Sequence, residues 1–167
     1  MKIRKRGVRI SISGRAAFFN QLSGCVSGFA PLSRRRAGAV CTLIDMKAGR
    51  RALLIGKETD ALKKAAQKRG CGVTVCGDFS FANESARYDD VILFETAADA
   101  EKAAGLLTTG GRLTVCALCG RYQANRLGGR LVSAKALAGR LAESYTVDVC
   151  VDTPTLFVLS GRLKRGI

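Results

Sequence analysis

The 167-residue sequence predicts an α/β fold with a mostly parallel sheet that ends in an antiparallel hairpin. Three observations carry that expectation. Short continuous apolar runs such as Arg51-Ala-Leu-Leu-Ile55 and Asp90-Val-Ile-Leu-Phe94 read as strands buried on both faces. Segments with helical spacing separate them, as in a parallel sheet covered by helices. The last two apolar runs instead follow one another across Asp152-Thr-Pro154, too closely for a helix to intervene.

Taken in order, residues 1–14 are basic, with Val8, Ile10 and Ile12 alternating as a short strand or an arm. Residues 16–22 read as a short helix and the Gly- and Pro-containing 24–31 as a loop. A helix is expected over 32–45, with Val40, Leu43 and Ile44 on one face. The first strand, 51–55, ends at Gly56. A helix over 60–69 turns Ala61, Leu62, Ala65 and Ala66 inward and stops at Gly70. The second strand is 73–76 and the third 90–94, and a helix is expected over about 97–107. Gly110-Gly111 turns the chain into a fourth strand, 112–118. Ser133 is placed to cap a helix reaching Ser144, and strands 146–151 and 156–160 close the chain. Residues 1–31 are read as a basic arm and 32–167 as one domain, a length that supports a single core.

Charge is concentrated at the front. The chain has 28 Lys and Arg against 13 Asp and Glu, net +15. Between Met1 and Arg51 the lone acid is Asp45. Such a region attracts polyanions, RNA among them, or it is a solvated arm. Arg34, Arg35 and Arg36 sit where a helix N-terminus is already positive, and Arg121 and Arg126 lie in a glycine-containing loop. These five are the candidate nucleic-acid contacts.

Histidine is absent, which excludes Ser-His-Asp and Cys-His nucleophiles and removes the commonest metal ligand. Seven cysteines without a secretory pattern read as reduced thiols. Cys116-Ala-Leu-Cys119 has redox or zinc spacing, but it overlaps a buried strand and has no second pair, so no metal site is expected. No apolar run is long enough to span a membrane. A cytoplasmic location is expected; the acid-free, Arg- and Ser-rich start leaves a mitochondrial presequence as the alternative.

Several segments, in this order, resemble class I S-adenosylmethionine-dependent methyltransferases. Phe18-Phe-Asn-Gln-Leu22 resembles the FFDxLA entry of quinone-type members, and Asp45 to Gly56 the lead into the cofactor loop. Tyr88-Asp-Asp-Val-Ile92 is similar to the YDxVI strand and Leu106-Leu-Thr-Thr-Gly-Gly-Arg-Leu113 to the LKPGGRL turn. Thr155 to Lys164 is similar to the last strand. The resemblance implies a Rossmann-like sheet, S-adenosylmethionine as cofactor and methyl transfer by proximity and alignment. It assigns no catalytic side chain and no acceptor.

The departures lie at the cofactor. Where the family has G-x-G-x-G, this chain reads Gly56-Lys-Glu58-Thr-Asp60, and Leu54 stands where an acid is usual. Two carboxylates there are expected to crowd the site; alternatively the segment is a plain turn capped by Thr59 or Asp60. About nine residues separate the second strand from YDxVI, so one helix–strand unit is missing. Asp78 then matches either the acid that meets the ribose hydroxyls or one facing the adenine. Gly56, Thr59, Asp78 and Glu95 are the implied cofactor contacts. The competing expectation is an inactive methyltransferase-like domain serving as a basic RNA- or ribosome-binding module.

Overall fold

The structure, a computed structural model, describes residues 32–96, 100–118, 134–153 and 156–164. The expected arm over 1–31, Ser133, Arg121 and Arg126 lie outside them. Among the described residues the chain runs through α1 (Arg34–Leu43), β1 (Arg51–Ile55), α2 (Asp60–Lys68) and β2 (Gly72–Cys76). A 3-10 turn (Phe79–Phe81) and β3 (Tyr88–Phe94) follow. A second turn (Ala100–Lys102) then leads into the single-turn α3 (Ala103–Leu106) and β4 (Leu107–Leu118). The last elements are α4 (Ala134–Ser144), β5 (Tyr145–Asp152) and β6 (Leu156–Leu163).

The strands form one six-stranded sheet in the order β2-β1-β3-β4-β6-β5. β1 pairs in parallel with β2 and β3, and β3 in parallel with β4. β6 runs antiparallel to both β4 and β5. This is a Rossmann-like α/β sheet, mostly parallel, with an antiparallel C-terminal hairpin. Both faces of β1 and β3 are covered. Leu53, Val91 and Leu93 pack with Ala103 of α3 and with Leu137 and Leu141 of α4. Ala52, Leu54 and Ile92 pack with Val40 and Cys41 of α1 and with Leu62 and Ala66 of α2.

Local chemistry sets the ends of the first helices. Ser33 accepts a hydrogen bond from the Arg36 amide at 3.2 Å and caps α1. α2 begins on Asp60 and ends on Lys68, both of the sign that suits the helix dipole, and Gly70 follows at φ +80°.

Of the stretch expected to be one helix over about 97–107, the described residues form a 3-10 turn (Ala100–Lys102) and one α turn (Ala103–Leu106). A helix with Gly105 inside it gives way at Leu107, which pairs with Tyr88. Arg112 is the next residue in register, opposite Asp90, so Gly110-Gly111 forms an irregularity within β4. Gly110 has φ +73°, and a Cβ on Gly111 would stand 2.8 Å from the Thr108 carbonyl oxygen.

β2 is the edge strand among the described residues, and the chain passes from it through a single 3-10 turn to β3 on the other side of β1. β2 therefore lies against β1 on the side away from β3. Val75 (42% exposed) and Phe81 (74% exposed) are the large apolar side chains left in solvent there.

A polar cluster is buried beneath α1. Asp90 is inaccessible to solvent; Arg50 Nε lies 2.9 Å from its Oδ2, off the hydrogen-bonding direction, so neither carboxylate oxygen accepts a hydrogen bond among the described residues. Arg112, next to Asp90 in register, donates to both oxygens of Asp148 at 3.0 and 2.7 Å and to Ser160 Oγ at 3.2 Å. A bulge between Val147 and Val149 leaves Asp148 out of register with β6.

Burial raises the Asp90 pKa from 3.8 to about 6, against the pull of Arg50 and Arg112. Between about pH 4 and 6 the folded protein therefore keeps a proton that the unfolded chain has lost. This group's contribution to stability is full below that window and falls as pH rises through it. Urea unfolding of wild type and Asp90→Asn across pH 4–7 is expected to show the wild type losing stability relative to the variant. A pH-independent difference between the two would refute this.

Candidate functional site

β1 is where the strand order reverses, because β2 lies on one side of it and β3 on the other. In an open α/β sheet, the loops leaving such strands part at their carboxyl ends and leave a crevice. A cleft of about 290 Å³ lies there, lined by Ile55, Gly56 and Lys57 after β1, Gly77, Asp78 and Phe79 after β2, and Phe94, Glu95 and Thr96 after β3. Ile55, Phe79 and Phe94 give it an apolar wall, and Asp78, Glu95 and Lys57 supply charge.

Gly56 fixes the floor. Its φ is +133°, its amide donates to the Cys76 carbonyl at 3.1 Å, and a Cβ would stand 2.2 Å from the Phe94 carbonyl oxygen. No side chain fits between the exits of β1 and β3. Two residues beyond, Glu58 has φ +56°, a left-handed conformation that glycine adopts without strain. The loop thus keeps a glycine-like backbone at this family glycine position while carrying a carboxylate. Neither Glu58 nor Asp60 lines the cleft and both are exposed, while the Glu58 charge still acts on Glu95.

Thr59 precedes α2, and its carbonyl accepts from the Lys63 amide at 2.9 Å. The side chain is buried, makes no capping hydrogen bond and is absent from the cleft lining. Asp60 opens the helix as the acid of its first turn. Leu54 is fully buried under α1 and α2.

Asp78 ends β2. Its Oδ1 accepts from the Ser80 amide at 2.8 Å and from the Ser80 hydroxyl, capping the 3-10 turn. These hydrogen bonds hold its pKa below the usual carboxylate value, so it is ionised at neutral pH.

Glu95 also has a left-handed backbone, φ +58°. Its amide donates to the Cys116 carbonyl at 2.9 Å, and its Oε1 accepts from the Leu118 amide at 2.6 Å. Burial raises its pKa; the Leu118 hydrogen bond opposes this and the Glu58 charge adds to it. Two left-handed non-glycine residues beside one cleft store strain of about 1–3 kcal/mol each.

Of the four implied contacts, Gly56, Asp78 and Glu95 meet around one cleft and Thr59 stands apart. Lys57, Phe79, Phe94 and Thr96 join the lining without having been singled out in the sequence. Phe94 carried a signal, as the last apolar residue of a buried strand. Phe79 carried none, because 79–87 has no period. Arg34 and Arg35 are exposed, and Arg36 is turned inward at 8% exposure. Cys116 is fully buried in β4, where burial raises its thiol pKa; Cys119 lies outside the described residues. No described helix is long and apolar enough to cross a membrane.

No family model matches the chain, and no curated protein matches its sequence. Solved structures do. The N-methyltransferase NodS from Bradyrhizobium japonicum WM9 is 15% identical, covers 83% of this chain and 100% of its own, and superposes with a TM-score of 0.54. A SAM-dependent methyltransferase from Aquifex aeolicus is 10% identical, with coverages of 89% and 98% and a TM-score of 0.59. The precorrin-6y C5,15-methyltransferase from Geobacter metallireducens GS-15 gives 9%, 84% and 94%, and 0.59. At such identities the likeness is one of fold: this chain has the class I methyltransferase fold.

Two substitutions test the cleft's backbone. Gly56→Ala forces β1 and β3 apart and is expected to destabilise by more than about 2 kcal/mol. Glu58→Gly relieves the left-handed strain and is expected to stabilise by about 1 kcal/mol. Denaturant midpoints measure both, and a Glu58→Gly protein that unfolds more easily than wild type contradicts the second.

Proposed function

We propose that the chain binds S-adenosylmethionine in this cleft and transfers its methyl group to an acceptor. The observation that carries the reading is the cleft's position on a class I methyltransferase fold, at the carboxyl ends of β1, β2 and β3, with Gly56 and Asp78 at the exits where the family resemblance puts cofactor contacts. When bound, the cofactor supplies an activated, cationic methyl donor.

The residues present fit that group. Gly56 removes the side chain where the backbone comes closest. Asp78 uses Oδ1 on Ser80, and no hydrogen bond to its Oδ2 is present among the described residues, which leaves an ionised acceptor for vicinal hydroxyls. Phe79, Phe94 and Ile55 offer apolar contact. Asp78 and Glu95 outnumber Lys57 among the lining charges, which favours a ligand carrying positive charge. The cleft's volume is at the lower end of small-molecule pockets, so a nucleoside joined to an amino acid fills it and extends past the open β2 edge. Acid–base chemistry is not called on; these groups hold and align, which is the part of catalysis a histidine-free site can supply.

Titration calorimetry with S-adenosylmethionine is the direct test. Saturable heat is expected, with affinity about tenfold weaker in Asp78→Asn, which keeps an acceptor for Ser80 but loses the charge. Absence of both heat and thermal shift at millimolar ligand would sink the proposal.

A further inference from the structure

The two helical layers carry different charge. Below the sheet, α3 with its preceding turn and α4 bear Lys102, Lys135 and Arg140 against Glu101 and Glu143, and Arg140 Nη2 pairs with Glu101 at 2.5 Å. Above it, α1, α2 and the residue after α2 bear Arg34, Arg35, Lys63, Lys64, Lys68 and Arg69 besides the buried Arg36. Asp60 is the single acid there.

The cations of the upper layer are brought together by helix packing. Gly38 and Thr42 lie on the open side of α1, at helical spacing from Arg34 and Arg35. Arg69 Nη2, just past α2, donates to the Gly38 carbonyl at 3.2 Å and to Thr42 Oγ1 at 2.5 Å. That contact joins the open side of α1 to the end of α2, where Lys64 and Lys68 stand exposed one turn apart. Among the described residues Arg34, Arg35, Lys63, Lys64 and Lys68 have no ion-pair partner; the ion pairs between described residues lie elsewhere. Like charges at i and i+4 on α2, and three arginines in the first turn of α1 with no acid, are each unfavourable in the free protein.

From this we infer that the α1–α2 face docks the phosphate backbone of a nucleic acid. Charge complementarity names the occupant. A membrane surface would call for large apolar side chains among the cations, and the described exposed ones, Val75 and Phe81, belong to the β2 edge. No aromatic lies on either helix, so the contacts go to phosphates and not to stacked bases, and binding is indifferent to sequence. The inference does not depend on the cofactor reading, since the face and the cleft share no residue.

The test is fluorescence anisotropy of a labelled short single-stranded RNA against the full chain over a range of salt, without cofactor. The face is removed by Arg34→Gln, Arg35→Gln, Lys64→Gln and Lys68→Gln together. An equal charge is removed elsewhere by Arg87→Gln, Lys135→Gln, Arg140→Gln and Lys164→Gln. Each contacted phosphate adds about 0.7 to the slope of log affinity against log salt, so the first set is expected to lower that slope by roughly 3 and weaken binding at least tenfold. The second set is expected to leave the slope within about 1 of wild type. Arg34→Lys with Arg35→Lys keeps the charge and is expected to keep the slope, which separates lost contact from lost folding. Equal losses from the two charge-removing sets would overturn the inference in favour of diffuse net charge. So would no RNA binding at low salt, or binding to phosphatidylserine vesicles in place of RNA.

Discussion

The close approach of Gly56 to the Phe94 carbonyl is the contact on which the rest of the architecture turns. β1 pairs in parallel with β2 on one side and β3 on the other, and its exit must pass over the end of β3 without a side chain between them. Because it does, the loops after β1, β2 and β3 open around one space. A β-carbon there would push the β1 loop away from β3, and the cleft would lose its floor before any ligand chemistry arose.

At the opposite end of the strands the solution is electrostatic. Asp90 sits between Arg50 and Arg112 under α1, and the arginines offset only part of the cost of burying its charge. Arg112 is better served, because the bulge in β5 frees Asp148 to receive it with two hydrogen bonds. The arrangement ties β1, β3, β4 and the terminal hairpin together by direction as well as by apolar contact. An apolar core would tolerate a slipped register more readily than one in which Arg112 must face Asp148.

How much of this was legible in the sequence depended on which physical signal each part leaves. Continuous apolar runs gave the central strands β1 and β3, because residues buried on both faces of a strand are mostly apolar. The terminal hairpin followed from spacing alone. The end of the helix before β4 could not be read to the residue because Leu106 and Leu107 suit either element, and pairing of Leu107 with Tyr88 decides the matter from a distance. Gly56, Asp78 and Glu95, named through the family resemblance, line one cleft because residues leaving the carboxyl ends of neighbouring parallel strands face the crevice between them. Thr59, named beside them, is buried away from that cleft, and a loop's inward and outward sides leave no period from which this could be read. The bulge at Asp148 leaves no mark in the sequence at all.

The cofactor loop looks most altered in its side chains, yet its backbone has changed less than they have. Glu58 adopts a left-handed backbone that suits glycine; it stays out of the cleft lining, but its charge acts on Glu95 within it. Asp60, at the next glycine position, simply begins α2. Counting lost glycines therefore overstates the damage: the requirement at such a loop is for room, and here the indispensable room is at Gly56 alone. The larger opening is at β2, which edges the sheet among the described residues and leaves Val75 and Phe81 exposed. The cleft is bounded by three strand exits and lies beside the open β2 edge, so the room it offers is set by backbone at those exits more than by the two acids in the loop.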